Sequence, residues 1–116
     1  MAGTSRKQIT VADVVRALDQ LAPPHLAQSW DNVGLLAGDG RNVCRSILLC
    51  VDLTPAVLEE SVTTKCQLVV AYHPPLFKPI RRLRGDGSGT DSLVHRAIAA
   101  GIAIYSPHTA LDAAPG

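Results

Sequence analysis

The chain has 116 residues, of which 47% are apolar and 18% charged, so it can bury one core and is predicted to be a single globular domain. Its formal net charge of +1 gives no overall electrostatic basis for nucleic-acid binding. Apolar runs stay well short of the roughly 18 residues of a membrane span, and residues 1–7 are polar, so we expect neither membrane insertion nor secretion.

The three cysteines are an odd number and show no Cys-x-x-Cys spacing. This usage indicates reduced thiols and predicts a cytoplasmic protein. Cys50 lies in an apolar run and is expected in the core.

Residues 1–9 are predicted to form a flexible tail, and residues 10–116 an α/β unit. A helix is expected over residues 10–21, because apolar side chains recur there at helical spacing after a threonine suited to capping. Residues 33–37 form a possible short strand. Asp31 and Asn32, beside the only tryptophan, are interpreted as turn residues that bond their own backbone.

The second part of the chain alternates strands and helices. Buried strands are predicted over residues 47–52, 67–71 and 102–105, with one helix from Thr54 to about residue 65. A further helix, capped by Thr90 or Asp91, is expected to end at Gly101, with His95 facing solvent and having no role. This alternation predicts an α/β fold with a mostly parallel sheet and helices packed on it.

His73 follows the most apolar strand and precedes two prolines. Pro74 and Pro75 cannot continue a strand, and they restrict His73 to an extended conformation at the strand tip. Open α/β sheets bind ligands at the carboxyl ends of their strands, which makes His73 a candidate ligand-binding residue. The plainer alternative is a rigid turn with an exposed histidine.

A second pair of polar residues, His108 and Asp112, follows the last strand. Parallel strand tips point the same way, so both residues are expected to approach His73. Imidazole and carboxylate together suit a divalent ion such as zinc, iron, manganese or nickel. The alternative remains open that His108 only enters a helix or loop and that Asp112 is a cap.

Four cationic side chains lie in the loop after His73: Lys78, Arg81, Arg82 and Arg84. Such a cluster can clamp phosphate, although a solvated charged loop is the simpler interpretation.

Residues 29–36, 72–77 and 105–116 together resemble the Nif-three-like family, which is also called the GTP cyclohydrolase 1 type 2 family. The resemblance extends from Thr10 onward. It implies an α/β fold with a dinuclear metal centre, a toroidal homohexamer, and metal-dependent hydrolysis of a nucleotide-like substrate. A non-catalytic metal-binding or protein-interaction module, or a plain α/β domain without a site, remains as an alternative.

The resemblance also suggests roles for individual residues. His73 matches the second histidine of the family's His-His-Pro motif, and Asp112 matches an acidic ligand that bridges the metals. His108 matches a histidine that lines the site, and Tyr72 stands where many members carry the first metal-binding histidine. The chain is similar to the amino-terminal half of the family, whose second half supplies a further His and Glu, so we expect the metal site to be incomplete.

Overall fold

A computed structural model describes residues 8–115; residues 1–7 of the tail predicted over residues 1–9 lie outside this range, as does residue 116. The described part contains four strands and four helices, together with a short 3-10 helix over Pro24–Leu26. The strands are β1 (Gly34–Ala37), β2 (Ile47–Cys50), β3 (Leu68–Ala71) and β4 (Ala103–Ser106). The helices are α1 (Val11–Leu21), α2 (Pro55–Thr63), α3 (Thr90–Ala99) and α4 (His108–Ala113).

The four strands form one sheet in the order β1-β4-β3-β2. Strands β2, β3 and β4 are parallel, while β1 pairs with β4 in the antiparallel sense. The α/β class and the mostly parallel sheet are therefore confirmed. The possible strand over residues 33–37 is present as β1, and it adds a fourth strand to the three predicted with more support.

The core lies on both faces of the two central strands. All residues of β3 and β4 are buried, as a strand covered on both faces requires. On one face, Val69 and Ile104 pack against residues of α2 and α3. On the other face, Leu68 and Tyr105 pack against Val11 and partly buried residues of α1.

Strand β2 is an edge strand, which corrects the prediction of a buried strand over residues 47–52. Its residues alternate in burial, and Ile47, Leu49 and Val51 are exposed, Leu49 to 74%. The apolar run resembled a central strand, but only one face of β2 is covered. Cys50 is half-buried and packs against the core from that covered face.

Helix α3 differs from its prediction at two points. Its N-cap is Gly89, without a side-chain capping bond, rather than Thr90 or Asp91. His95 does not simply face solvent, because its Nδ1 atom is buried and makes no hydrogen bond within the described part of the chain. Gly85 packs so closely on this ring that a Cβ atom there would lie 2.6 Å from Nδ1.

The turn at Gly38 connects β1 to the rest of the sheet. Its φ angle is +100°, and an added Cβ atom would lie 2.6 Å from both Cα and Cβ of Ala103. Glycine is therefore needed for its backbone conformation and for the close approach to β4. Among the described residues, no helix is long and apolar enough to cross a membrane.

Candidate functional site

The candidate site lies where β2, β3 and β4 end. The ladder between β2 and β3 continues past the strands, since the N–H groups of Tyr72 and His73 donate to the carbonyls of Cys50 and Val51, each at 3.0 Å. Beside this extension, the Ser106 hydroxyl donates to the Tyr72 carbonyl at 2.9 Å. The backbone of Tyr72 and His73 is thus fixed from both neighbouring strands.

His73 is paired with Asp52, the second residue after β2. Its Nδ1 atom lies 2.8 Å from Oδ1 of Asp52, and the two side chains are 49% and 62% exposed. The pairing follows from parallel register, because Cys50 lies opposite Ala71 and the next residues along each strand also run side by side. Asp52 was not among the predicted site residues, because the register between β2 and β3 that brings it to His73 does not follow from the sequence.

His108 is paired with Asp31 in a more buried setting. Its Nδ1 atom lies 2.9 Å from Oδ1 of Asp31, and the side chains of His108 and Asp31 are 19% and 0% exposed. Oδ2 of Asp31 accepts hydrogen bonds from the backbone N–H and the hydroxyl of Thr109, at 3.1 and 2.5 Å. Asp31 therefore links the turn before β1 to the first turn of α4, beyond the local role predicted for it.

The hydrogen bonds around Asp31 stabilise its ionised form. Burial acts to raise the pKa of this carboxyl group. The bonds from the Thr109 hydroxyl, the His108 ring and the backbone N–H groups of Asn32 and Thr109 outweigh that effect and lower the pKa to about 2. The side chain is thus a carboxylate at neutral pH and fixes the orientation of the imidazole.

Three rings meet at the strand tips. The centroids of Tyr72 and His73 are 4.9 Å apart, those of Tyr72 and His108 5.3 Å, and those of His73 and His108 5.4 Å. The Tyr72 hydroxyl donates to Oδ1 of Asp112 at 2.5 Å. This bond raises the pKa of Tyr72, and desolvation of the hydroxyl raises it further by a smaller amount. His73, His108, Tyr72 and Asp112 therefore belong to one cluster. Asp112 joins it through its hydrogen bond to Tyr72.

The donors in this cluster are of a type that suits a divalent metal ion. Both histidines are hydrogen-bonded to a carboxylate through Nδ1, the arrangement that commonly orients metal-binding imidazoles and leaves Nε2 for the metal. Across residues 8–115, however, no group of three or more His, Cys, Asp or Glu side chains is arranged to hold an ion. The donor types fit a metal, and the described residues supply only part of a coordination shell.

The predicted basic cluster lines two adjoining depressions. Lys78, Arg81 and Arg82 line a groove of about 960 Å³, together with Phe77, Ile80 and the start of α3 at Thr90 and Asp91. Arg84, which pairs with Asp86 at 2.7 Å, lines the second depression, and Arg82 and Asp91 border both. The loop therefore brings three of the four predicted cations to one groove.

Trp30 connects the groove to the imidazole cluster. Its ring centroid lies 6.1 Å from that of Phe77 and 6.2 Å from that of His108, with edge-to-face geometry in both cases. Trp30 was not among the predicted site residues. Its position depends on the antiparallel pairing of β1 with β4, and the sequence did not indicate that pairing.

Comparison with known proteins agrees with the fold and the motifs. A sequence model described as Duf34/NIF3 (NGG1p interacting factor 3) matches residues 9–116. NIF3-like protein 1 of Bos taurus is 39% identical over 113 residues, which cover 97% of this chain and 30% of that protein. A GTP cyclohydrolase 1 type 2 homolog of Mycobacterium tuberculosis is 39% identical over 109 residues, covering 93% of this chain and 28% of that protein.

Solved structures show the same fold. The Staphylococcus aureus hypothetical protein SA1388 superposes with a TM-score of 0.89 at 31% identity, covering 96% of this chain and 31% of the other. A Bacillus cereus protein related to NIF3 gives a TM-score of 0.87 at 27% identity, covering 95% of this chain and 30% of the other. The chain thus spans about a third of the length of these relatives. It belongs to the Duf34/NIF3 (NGG1p interacting factor 3) family.

Proposed function

We propose that the strand-tip cluster contributes to a divalent-metal site of a hydrolase, with His73 and Asp112 as ligands and His108 beside them. The observation that supports this most strongly is the pair of imidazoles, 5.4 Å apart, each hydrogen-bonded to a carboxylate through Nδ1. When bound, zinc, iron, manganese or nickel at such a site supplies Lewis-acid chemistry and activates water.

The residues of the chain have separate tasks in this proposal. Asp52 and Asp31 orient the two imidazoles, so that Nε2 of each remains available to a ligand. The Tyr72 hydroxyl donates a hydrogen bond to Oδ1 of Asp112 at 2.5 Å, which leaves Oδ2 of Asp112 available to bind the metal. The family resemblance places Tyr72 where many members carry a metal-binding histidine, and on that basis we propose that this chain offers the metal fewer nitrogen ligands than they do.

Metal binding is tested by elemental analysis and by zinc titration of the chain extended to the length of its relatives, because the described residues supply only part of a coordination shell. We expect His73→Ala and Asp112→Asn each to remove most of the bound metal, and the double variant to lose little more. His25→Ala, which changes an exposed histidine in the 3-10 helix, serves as the control. Full metal content in both single variants, or losses that simply add, would refute a shared ion.

The substrate and assembly are proposed from the family and from the groove. The relatives named GTP cyclohydrolase 1 type 2 homolog suggest a nucleotide-like substrate. The groove with Lys78, Arg81 and Arg82 supports this, since guanidinium and ammonium groups bind phosphate. We further propose a homohexamer in the cytoplasm, as expected from the family resemblance and the reduced cysteines.

A second candidate function is a non-catalytic metal-binding or protein-interaction module. The exposed apolar side chains of Ile47, Leu49 and Val51, on the uncovered face of the edge strand β2 and its extension, favour it. Leu49→Lys is expected to reduce self-association in sedimentation velocity without lowering stability, because that side chain is 74% exposed. An unchanged association state would show that the β2 edge is not a contact surface.

A further inference from the structure

We propose that the planar ring of a phosphorylated ligand binds between Trp30 and Phe77, stacking on Phe77 and meeting the nearly perpendicular Trp30 ring edge-on, while the phosphate of the ligand binds Lys78, Arg81 and Arg82. A nucleoside monophosphate is the ligand class that this surface fits. The identity of that ligand as a substrate rests on the proposed function, whereas its binding does not.

The first observation is the exposure of two neighbouring aromatic rings. Trp30 is 59% exposed and Phe77 is 46% exposed, and their centroids lie 6.1 Å apart. Aromatic side chains usually bury most of their surface, and an exposed pair offers a large apolar area at low entropic cost. Nucleobases stack on such side chains.

The second observation is that the two residues after Trp30 are both held by hydrogen bonds to other segments of the chain. Asp31, the next residue, accepts the bonds from His108 and Thr109 described above. Asn32 donates from its side-chain amide to the carbonyl of Leu76, which directly precedes Phe77. The two segments that carry the rings are thus joined, so the exposed pair is preorganised before a ligand arrives.

The third observation is the order of chemical groups along the surface. Phe77 lines the groove that contains Lys78, Arg81 and Arg82, and Trp30 contacts both Phe77 and His108. Cations, aromatic rings and imidazoles therefore follow one another. A ligand with its phosphate among the cations would stack its ring on Phe77, contact Trp30 edge-on, and direct the far edge of the ring toward His108.

The charge of the groove indicates how many phosphates it suits. Three cationic side chains share the groove with the carboxylate of Asp91 and the hydroxyl of Thr90. The carboxylate reduces the attraction for a highly charged polyphosphate and can accept hydrogen bonds from sugar hydroxyls. A single phosphate attached to a sugar and a ring matches this set of groups.

The single tryptophan provides a direct measurement, because its indole N–H gives one resonance in a ¹H–¹⁵N spectrum of the chain. We would titrate the metal-free protein with adenosine 5′-monophosphate, adenosine and ribose 5-phosphate. The monophosphate is expected to shift the indole resonance saturably. Adenosine and ribose 5-phosphate, which each lack one part, are expected to bind about tenfold more weakly or worse.

Two variants separate the ring from the phosphate. Phe77→Leu is expected to weaken the monophosphate and adenosine roughly tenfold, with Phe77→Tyr restoring both, and to leave ribose 5-phosphate unchanged. Arg81→Gln with Arg82→Gln is expected to weaken the two phosphorylated compounds and not adenosine. Arg41→Gln with Arg45→Gln is the charge-matched control, since both residues precede β2 at the opposite end of the sheet.

An indole resonance that does not move, equal affinities for the monophosphate and ribose 5-phosphate, or no effect of Phe77→Leu would overturn the ring-binding site between Trp30 and Phe77. Equal weakening by the control pair would overturn the specific phosphate contact, because binding would then reflect overall charge. Zinc binding is measured separately, by titrating zinc into the same set of variants. Loss of metal binding with intact nucleotide binding would refute the proposed metal site alone, and the reverse result would refute the ring-binding site alone.

Discussion

Asp31→Asn is the substitution for which the structure predicts the clearest energetic cost. The side chain is 0% exposed, and its two oxygens accept four hydrogen bonds, from Asn32, His108 and twice from Thr109. Asparagine keeps the shape but offers one acceptor oxygen and one NH₂ group. In the less costly orientation the NH₂ group faces Thr109, whose hydroxyl can rotate to accept while its backbone N–H loses its partner.

The magnitude follows from that lost acceptor and from the lost charge. An unpaired buried donor costs roughly 1–3 kcal/mol, and bonds to a charged group are stronger than neutral ones. The depression of the Asp31 pKa from 3.8 to about 2 corresponds to at most about 2.4 kcal/mol at neutral pH, before screening by nearby water. We therefore expect Asp31→Asn to lower the free energy of unfolding by about 2 kcal/mol.

The contribution of Asp31 to the free energy of unfolding should decrease at acidic pH. The pKa of Asp31 is lower in the folded protein than in the unfolded chain, so its contribution is complete above the unfolded value near 4. That contribution is lost as the pH falls toward about 2. In urea unfolding followed by circular dichroism, the stability gap between wild type and Asp31→Asn should thus narrow below about pH 4.

Asp39→Asn is the matched control. The hydrogen bond from the Arg41 side chain also lowers the pKa of Asp39 to about 2, but this ion pair is exposed. Its contribution should be small and should weaken in high salt, whereas the loss at Asp31 should persist. Equal losses at the two positions, or a loss at Asp31 that salt abolishes, would refute the burial argument.

Two further predictions concern the turn at Gly38 and the two tyrosines. Gly38→Ala should destabilise the chain by about 2–4 kcal/mol, since it combines a positive φ with a clash against Ala103. Gly34 also has a positive φ, of +102°, but the space around it is open. Gly34→Ala should therefore cost only about 1 kcal/mol, and thermal unfolding of both variants measures the difference. In an ultraviolet pH titration both tyrosines should ionise above pH 10, Tyr72 because of its bond to Asp112, and Tyr105 because of burial and then Asp19. Asp112→Ala should return one of the two transitions toward pH 10, and an unchanged titration would show that the Tyr72–Asp112 bond is absent in solution.

The sequence predicted those features that depend on local patterns. Helix α1 with its Thr10 cap, helix α2 after Thr54, and the buried strands β3 and β4 all follow from residue periodicity and capping chemistry. The approach of His108 to His73 followed from strand polarity alone. The three histidine and tyrosine rings at the strand tips were thus within reach of sequence reasoning.

Features that depend on long-range pairing were not predicted. The apolar run of β2 has the composition of a central strand, and only its place in the sheet order makes it an edge. The antiparallel pairing of Gly34 with Ser106 carries the turn before β1 toward the first turn of α4. Asp31 reaches Thr109 for that reason, and a reading of residues 29–33 by themselves could only assign them to a turn.

The two imidazole–carboxylate pairs make the same kind of hydrogen bond but differ in solvent exposure. Because of this difference, we expect the two histidines to have different roles in the proposed site. The pair of His73 and Asp52 is about half exposed, so its bond orients the ring but contributes little to stability. The pair of His108 and Asp31 is largely buried, and His108 has a φ angle of +28°, a strained conformation for which the bonds of Asp31 compensate. His108 is therefore held in place by buried hydrogen bonds, whereas His73 lies in a part of the site that a ligand can reach. Replacing His73 should reduce ligand binding with little loss of stability, whereas replacing His108 should reduce stability first.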